Sequence, residues 1–407
     1  MNALPPTLQR VMRAQTCSGC GLCAGIDPAI RLARDAKGWL RPQATGPIAP
    51  ETDALMARAC PGARVSPWQP APPNVTIDPI WGPHIRVLTA HATDAGIRHT
   101  ASSGGALSGL ALHLLGTGRV SRVLHVGMDP DAPLLTRIVR SMGRSDVLRA
   151  AGSRYAPASP LAELRAELES PGDLLFIGKP CDVGALREFM AADPAVAARF
   201  PYLLSFFCAG TPSQDGTDRI IRHLGAEPND VRSFRYRGDG WPGYATAHLA
   251  NGETRRMSYA DSWGDILSHE VQFRCKICPD AVGGAADVAA ADAWYGGDSG
   301  YPAFDEADGR SLVMTRTASG DALVREAEAA GAIASEPLDI GEIIKMQPSQ
   351  ARRKQLAASR MAAMKLMLNP VPVVSGLGVG AAMRQVNPLA SLKSMVGTAR
   401  RIATGRR

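Results

Sequence analysis

Eight cysteines, at positions 17, 20, 23, 60, 181, 208, 275 and 278, constrain this 407-residue chain more than any other feature. The opening segment MNALPPTLQRVMRAQ has no apolar h-region of the kind that begins a secretory signal. A cytoplasmic location is therefore expected, where thiols stay reduced and do not form a disulfide framework. Metal binding or redox chemistry is the better use for so many cysteines, and their spacing agrees.

Cys17-Ser18-Gly19-Cys20-Gly21-Leu22-Cys23 is a C-x₂-C-x₂-C run, and Cys60-Pro61 supplies a fourth cysteine followed by proline. Iron–sulfur cubanes need thiolates at the corners of a compact core, and two-residue spacers let one tight turn aim successive sulfurs at adjacent irons. The small residues Ser18, Gly19 and Gly21 let backbone N–H groups approach the inorganic sulfides. The long gap between Cys23 and Cys60 means that the fourth ligand returns across a loop. Zinc is the alternative occupant of four cysteines. A second set comprises Cys181, Cys208 and the pair in Arg274-Cys275-Lys276-Ile277-Cys278-Pro279. Cys181 and Cys208 each end an apolar run, DLLFIGKPC and YLLSFFC, and the carboxyl ends of strands are where open α/β sheets gather their sites. A second cluster is expected there, with zinc on the CxxC pair or a redox-active Cys181 as the alternatives.

Strands are expected at 85–91, 121–128, 134–140, 173–178 and 202–207, with helices at 103–116, 160–169, 182–192 and 213–224. Their alternation argues an α/β fold with a mainly parallel or mixed sheet. Residues 232–260 look more β-like, with turn signals at Gly238-Asp239-Gly240 and Asn251-Gly252. The organisation expected is a ferredoxin-like iron–sulfur module at 1–67, a proline-rich linker at 68–84, an α/β flavin and iron–sulfur domain at 85–345, and a basic helical tail at 346–407.

A content of 45% hydrophobic and 20% charged residues is that of a globular protein. No stretch approaches the ~20 apolar residues of a membrane-spanning helix. The net charge of +7 belongs to the tail: residues 346–407 hold eleven Lys or Arg and no Asp or Glu, leaving 34 basic against 38 acidic residues before them. The body is therefore not expected to bind nucleic acid. Residues 341–368 read as helical after Pro348, with Ala357, Met361, Met364 and Leu368 on one face and Arg352, Arg353, Lys354, Arg360 and Lys365 supplying charge. Such a helix either lies on an anionic membrane or an acidic partner such as a ferredoxin, or packs on its own protein. Residues 369–407 look looser.

Other motifs bear on ligands. Ser102-Ser103-Gly104-Gly105 opens an apolar helix; bare N–H groups at such a turn suit a phosphate, although the same serines also serve as ordinary N-caps. Lys179 sits at a strand-to-helix turn where it can face an anionic cofactor. Arg235-Tyr236-Arg237-Gly238 and Trp241-Pro242-Gly243-Tyr244 combine cations with flat rings, which suits stacking against a flavin or another planar system. Asp292 is placed to bind a ribityl or ribose hydroxyl, or to cap. His99, Tyr155 and Tyr244 are proton donors by type only, and no catalytic residue is identified.

The order CxxCxxC…CP, S-S-G-G-x-L, F-I-G-K-P-C-D-x-x-A-L, F-R-C-K-I-C-P-D and A-D-A-W resembles the coenzyme F420 hydrogenase/dehydrogenase beta-subunit family, which includes relatives such as 7-hydroxymethyl chlorophyll a reductase and iron–sulfur divinyl chlorophyllide reductase. The resemblance runs from about Cys17 to about Asp298. It implies an iron–sulfur flavoprotein oxidoreductase with two 4Fe-4S clusters and FAD. Cys17, Cys20, Cys23 and Cys60 would hold the first cluster, and Cys181, Cys208, Cys275 and Cys278 the second. Ser103, Gly104 and Gly105 would meet the flavin phosphates. Electrons would pass between a ferredoxin or another redox partner and an organic acceptor that the sequence does not identify. Many relatives read Gly-Thr-Pro-Cys-Gln where this chain has Gly178-Lys179-Pro180-Cys181-Asp182, which weakens a transfer of tetrapyrrole chemistry. A non-catalytic electron-transfer subunit and a zinc-stabilised α/β protein are the competing functions.

Overall fold

The computed structural model describes residues 3–67, 75–295 and 303–405. An eight-stranded mixed sheet runs, from edge to edge, Ile333–Pro337, Arg86–Ala92, Ser311–Thr315, Val288–Asp292, Tyr202–Phe206, Leu174–Gly178, Arg122–Met128 and Thr136–Ser141. The four strands from Val288–Asp292 to Arg122–Met128 are parallel to one another. Every other pairing is antiparallel. The sheet is thus mixed, with a parallel centre. The five strands expected from the sequence all form, within two residues of their expected limits.

Period-two alternation sorts the core onto the two faces of this sheet. Leu175, Val123, Leu204 and Val288 face Leu110 and Leu114 of helix Ala106–Gly116 and Leu323 and Val324 of helix Ala318–Ala329. Leu174, Phe176, Leu124 and Leu203 face the other way. There they share one core with Val183 and Leu186 of helix Pro180–Ala192 and with Leu8, Leu22 and Met56 from the N-terminal segment. The first cysteine segment is therefore packed onto the sheet. A three-stranded antiparallel sheet, Val231–Arg235, Tyr244–Leu249 and Thr254–Ser258, carries its own core around Phe234, Tyr236 and Ala247.

Residues 68–74 lie outside the described residues. The rest of the proline-rich stretch pairs Thr76–Asp78 with Gly82–His84 and buries Ile80 and Trp81 against Val87, Leu312 and Met314, so this part is a packed hairpin and not a free spacer. The tail is also built into the body. Helix Pro348–Leu366 buries Ala357, Met361 and Met364. Leu368, expected on the same face, is 94% exposed, because the helix has ended and the chain turns through a positive φ of 54° there. Val373–Val374 pairs with Arg64–Val65, and helices Val379–Arg384 and Pro388–Ala403 pack against the Pro348–Leu366 helix. Residues 369–405 are therefore ordered against the protein, not loose. No helix among the described residues is long and apolar enough to cross a membrane.

Candidate functional site

The first cysteine set is gathered by a turn that only glycine tolerates. Gly19 and Gly21 adopt φ of 76° and 89°, values that a side chain disfavours. A Cβ on Gly21 would also lie 2.8 Å from the backbone of Ala162. Thr16 Oγ1 donates to Gly62 O at 2.9 Å, which brings Cys60 back beside the run. Cys20, Cys23 and Cys60 are buried and Cys17 is half-buried. Burial, reinforced by Cys60 and Asp182, pushes the Cys20 thiol up to about 12. Burial and Cys17 push Cys60 up to about 11. Thiols so placed are neutral at pH 7 and become thiolates only when a cation takes the proton's place. The Ser18 hydroxyl beside them is buried without a partner among the described residues.

The second set lies at the carboxyl edge of the parallel strands. Cys181 occupies the first turn of helix Pro180–Ala192, and Cys208 follows strand Tyr202–Phe206. Cys275 belongs to the short helix Phe273–Lys276, with Cys278 just beyond. Burial, then the neighbouring Cys275, pushes the Cys208 thiol up to about 12. Burial and Asp182 push Cys181 up, and Cys208 and Cys275 add to this. Thr211 N donates to Cys275 Sγ at 3.4 Å. Among the described residues no three His, Cys, Asp or Glu side chains converge as a single bound ion requires.

Segment 272–278 joins the two sets. Gln272 Nε2 donates to Ser18 O at 3.3 Å, and Arg274 donates to Pro61 O from Nε and Nη2 at 3.1 and 3.0 Å, while Cys275 and Cys278 face the second set. Burial works against the Arg274 charge, but Cys278, Cys181 and Cys275 outweigh it and hold its pKa up. Asp182 is felt by both Cys20 and Cys181. Lys179 Nζ pairs with Asp182 Oδ2 at 2.7 Å. Burial opposes the lysine charge, and Asp182, Cys181 and Cys208 more than restore it.

Beside the second set, the same strand ends open into a cavity enclosing about 1700 Å³ of atom-free space, its mouth included. Gly178, Cys208 and Asp292 line it, with Ala106, Val126 and Ala150 adding apolar surface. Trp294 stacks on Trp241 with centroids 4.6 Å apart and planes 7° apart. Arg237, 2% exposed, forks onto Asp292 with both contacts at 2.7 Å, its guanidinium 4.7 Å from the Tyr259 ring and 4.8 Å from the Trp294 ring. Arg154 also lines the cavity; it is held by the carbonyls of Phe234, Pro133 and Leu135, and among the described residues it has no carboxylate partner and its buried Nε is unsatisfied. Burial drives His125, which shares a 2.8 Å hydrogen bond with Ser141, down to about 4.

Of the ligand residues expected from sequence, Ser103, Gly105, Lys179 and Asp292 line this cavity. Gly104 does not: a Cβ there would meet Ala90 O at 2.6 Å and Ser311 N at 2.7 Å, so its missing side chain serves the backbone packing of the turn. Ser103 Oγ is occupied by Arg310 O at 3.0 Å and the Ser311 hydroxyl at 3.2 Å. Arg235 is turned away from the cavity, donating to Thr100 O behind the same turn and pairing with Asp239 at 3.3 Å. Its neighbour Arg237 takes the place expected of it. Asp292 is held by Arg237 through both oxygens and by Trp241 Nε1 at 2.9 Å, so its charge is already paired. Tyr155 lines the cavity, whereas His99 and Tyr244 do not. Arg154, His125, Tyr259, Trp263, Gln347 and Gln350 line it without a sequence signal, since none belongs to a recognisable short motif.

Two family models match: the coenzyme F420 hydrogenase/dehydrogenase beta subunit N-terminal region over residues 87–165 and its C terminus over 172–340. Together they cover more than half of the chain. The coenzyme F420 hydrogenase subunit beta of Methanothermobacter thermautotrophicus is 25% identical over 305 residues, 72% of this chain and 99% of the relative. The chloroplastic 7-hydroxymethyl chlorophyll a reductase of Oryza sativa is 26% identical over 188 residues, 45% of this chain and 38% of the reductase. In fold, the chain resembles one from the F420-reducing NiFe hydrogenase complex of Methanosarcina barkeri, with a TM-score of 0.57 and 21% identity, covering 73% of this chain and 98% of that one. The relatives are oxidoreductases or their subunits, and this chain belongs to the coenzyme F420 hydrogenase/dehydrogenase beta-subunit family.

Proposed function

We propose that this protein is an iron–sulfur flavoprotein that moves electrons between a ferredoxin-type donor and an organic acceptor. Cys17, Cys20, Cys23 and Cys60 hold one 4Fe-4S cluster, Cys181, Cys208, Cys275 and Cys278 hold a second, and FAD occupies the cavity. The observation that carries this reading is the adjacency of the two cysteine sets, bridged by Gln272 and Arg274, with Cys208 of the second set lining the cavity. Flavin, when bound, takes a hydride as a pair and hands electrons on singly, which suits it to lie next to a one-electron carrier.

The chain's own residues prepare the site for these groups. The carboxylates Asp182 and Asp292 are neutralised by Lys179 and Arg237. Arg154 therefore remains as surplus positive charge facing the cavity, with its orphaned Nε, and it complements an anionic diphosphate. Ser103 and Gly105 start helix Ala106–Gly116 at the cavity wall and aim its free N–H groups there. Trp294, Tyr259 and Tyr155 supply flat faces for a planar ring. The cavity is open to solvent beside Cys208, which gives an acceptor a way in and favours a catalytic protein over a pure relay subunit. Anaerobic purification with iron, sulfide and flavin quantified per chain tests the reading. The expected result is about eight irons, about eight sulfides and one FAD; a colourless chain holding zinc and no flavin would refute it.

A further inference from the structure

The C-terminal segment lies beyond the family match, which ends at residue 340, yet its helix reaches into the site. Gln347 and Gln350 line the cavity, and Gln347 Nε2 donates to Asp292 O at 2.7 Å. One turn on, three cations turn inward over the second cysteine set. Arg353 donates from Nη1 to Cys208 O at 3.1 Å and from Nη2 to Ala209 O. Arg360 donates to the carbonyl of Lys276, between Cys275 and Cys278, and its Nε to Ser394 Oγ at 3.0 Å. Lys354 is only 4% exposed and makes no hydrogen bond or ion pair among the described residues. Burial works against its charge, Asp280, Cys278 and Asp78 support it, and Arg316 opposes it.

Arg353 and Arg360 are thus fixed on the loops that carry Cys208, Cys275 and Cys278, and Lys354 is buried beside them, so an anionic thiolate cluster at these cysteines would sit against three fixed cations. We propose that this tail segment is the electrostatic cap of the inner cluster: Arg353, Lys354 and Arg360 raise its reduction potential. The inference rests on the iron–sulfur reading above. The step concerned is the uptake of one electron from a ferredoxin-type donor, with no bond or proton moved. Reduction makes the cluster more negative, so fixed cations nearby stabilise the reduced form more than the oxidised one. Net charge, hydrogen bonding and solvent access are the terms through which a protein sets such potentials.

The test is a redox titration of the full, cluster-loaded protein, monitored by the paramagnetic signal of the reduced inner cluster, with iron counted in each sample. Lys354→Met and Arg353→Gln should each shift the oxidised-to-reduced ratio at fixed ambient potential about tenfold towards oxidised, a fall of about 59 mV for one electron. Arg353→Lys keeps the charge and should stay near the parent value. Unmoved potentials in Lys354→Met and Arg353→Gln, with iron retained, would overturn the cap. So would a drop in Arg353→Lys as large as in Arg353→Gln, since charge would then not be the cause. Iron in the parent chain separates this failure from that of the underlying reading: if Cys278→Ser removes no iron, there is no inner cluster and both fall.

Discussion

Removing the Arg237 guanidinium should destabilise the protein by several kilocalories per mole, and the cost should depend on Asp292. Arg237 is 2% exposed and forks onto both Asp292 oxygens at 2.7 Å. In Arg237→Ala the carboxylate keeps a single neutral donor, Trp241 Nε1 at 2.9 Å. Leaving one partner of a buried pair uncompensated costs ~3–5 kcal/mol, and the partial exposure of Asp292, 17%, places the expectation at the lower end. Loss of the cation beside the Tyr259 and Trp294 rings adds about 0.5–1 kcal/mol. Asp292→Ala should cost as much, because the guanidinium is then left buried with the Pro242 carbonyl, at 2.6 Å, as its remaining acceptor. The double variant removes both charges together, so the sum of the single losses should exceed the double loss by about 2–3 kcal/mol. Urea unfolding of the four chains, followed by far-UV circular dichroism, completes the cycle. Additivity within ~0.5 kcal/mol would refute the argument and assign the cluster to shape alone.

Gly104→Ala should lower stability by ~1–3 kcal/mol with or without flavin, because the new methyl group meets backbone at Ala90 and Ser311; an unchanged melting temperature would contradict that close approach. His125 has its folded pKa pushed down to about 4 by burial. Between pH 6.5 and 4 the unfolded chain therefore binds the extra proton, and stability falls as pH falls, by about 3 kcal/mol in total. His125→Gln should flatten that part of the stability–pH curve, and an unaltered slope would dispose of the assignment. A chain truncated after Lys345 should lose the iron of the second set and expose apolar surface to a hydrophobic dye, since it uncovers the packing of Ala357, Met361 and Met364; a soluble truncated chain with full iron would show the tail to be dispensable.

The parts of the fold that could be read in advance are those whose side chains carry a local signal. DLLFIG and YLLSFF are continuous apolar runs, and they form central parallel strands buried on both faces. Val288–Asp292, with sequence VAAAD, is equally buried but mostly alanine, and alanine has neither β-branching nor helical periodicity to mark it as a strand. The cysteines announced themselves by spacing. Asp292 and Arg235 were legible as residues of the site's sequence neighbourhood but not in their roles, because the strand ends at Arg235 and Arg237 lies in the turn beyond it, where it claimed the carboxylate. The basic tail shows the same limit. Its composition points outward to a membrane or an acidic protein, yet Arg353, Lys354 and Arg360 are turned inward, leaving Arg352 and Lys365 as the exposed charges of that helix. A charge count carries no information about facing.

The claim on which all else depends is that the eight cysteines form two separate four-thiolate sites. Iron per chain after anaerobic reconstitution, measured for the parent, Cys20→Ser and Cys278→Ser, tests it most directly. Each substitution should remove about half of the iron, with flavin retained in Cys20→Ser and weakened in Cys278→Ser, whose cluster borders the cavity through Cys208. Loss of all iron from either folded variant, or loss from neither, would contradict the two-site account.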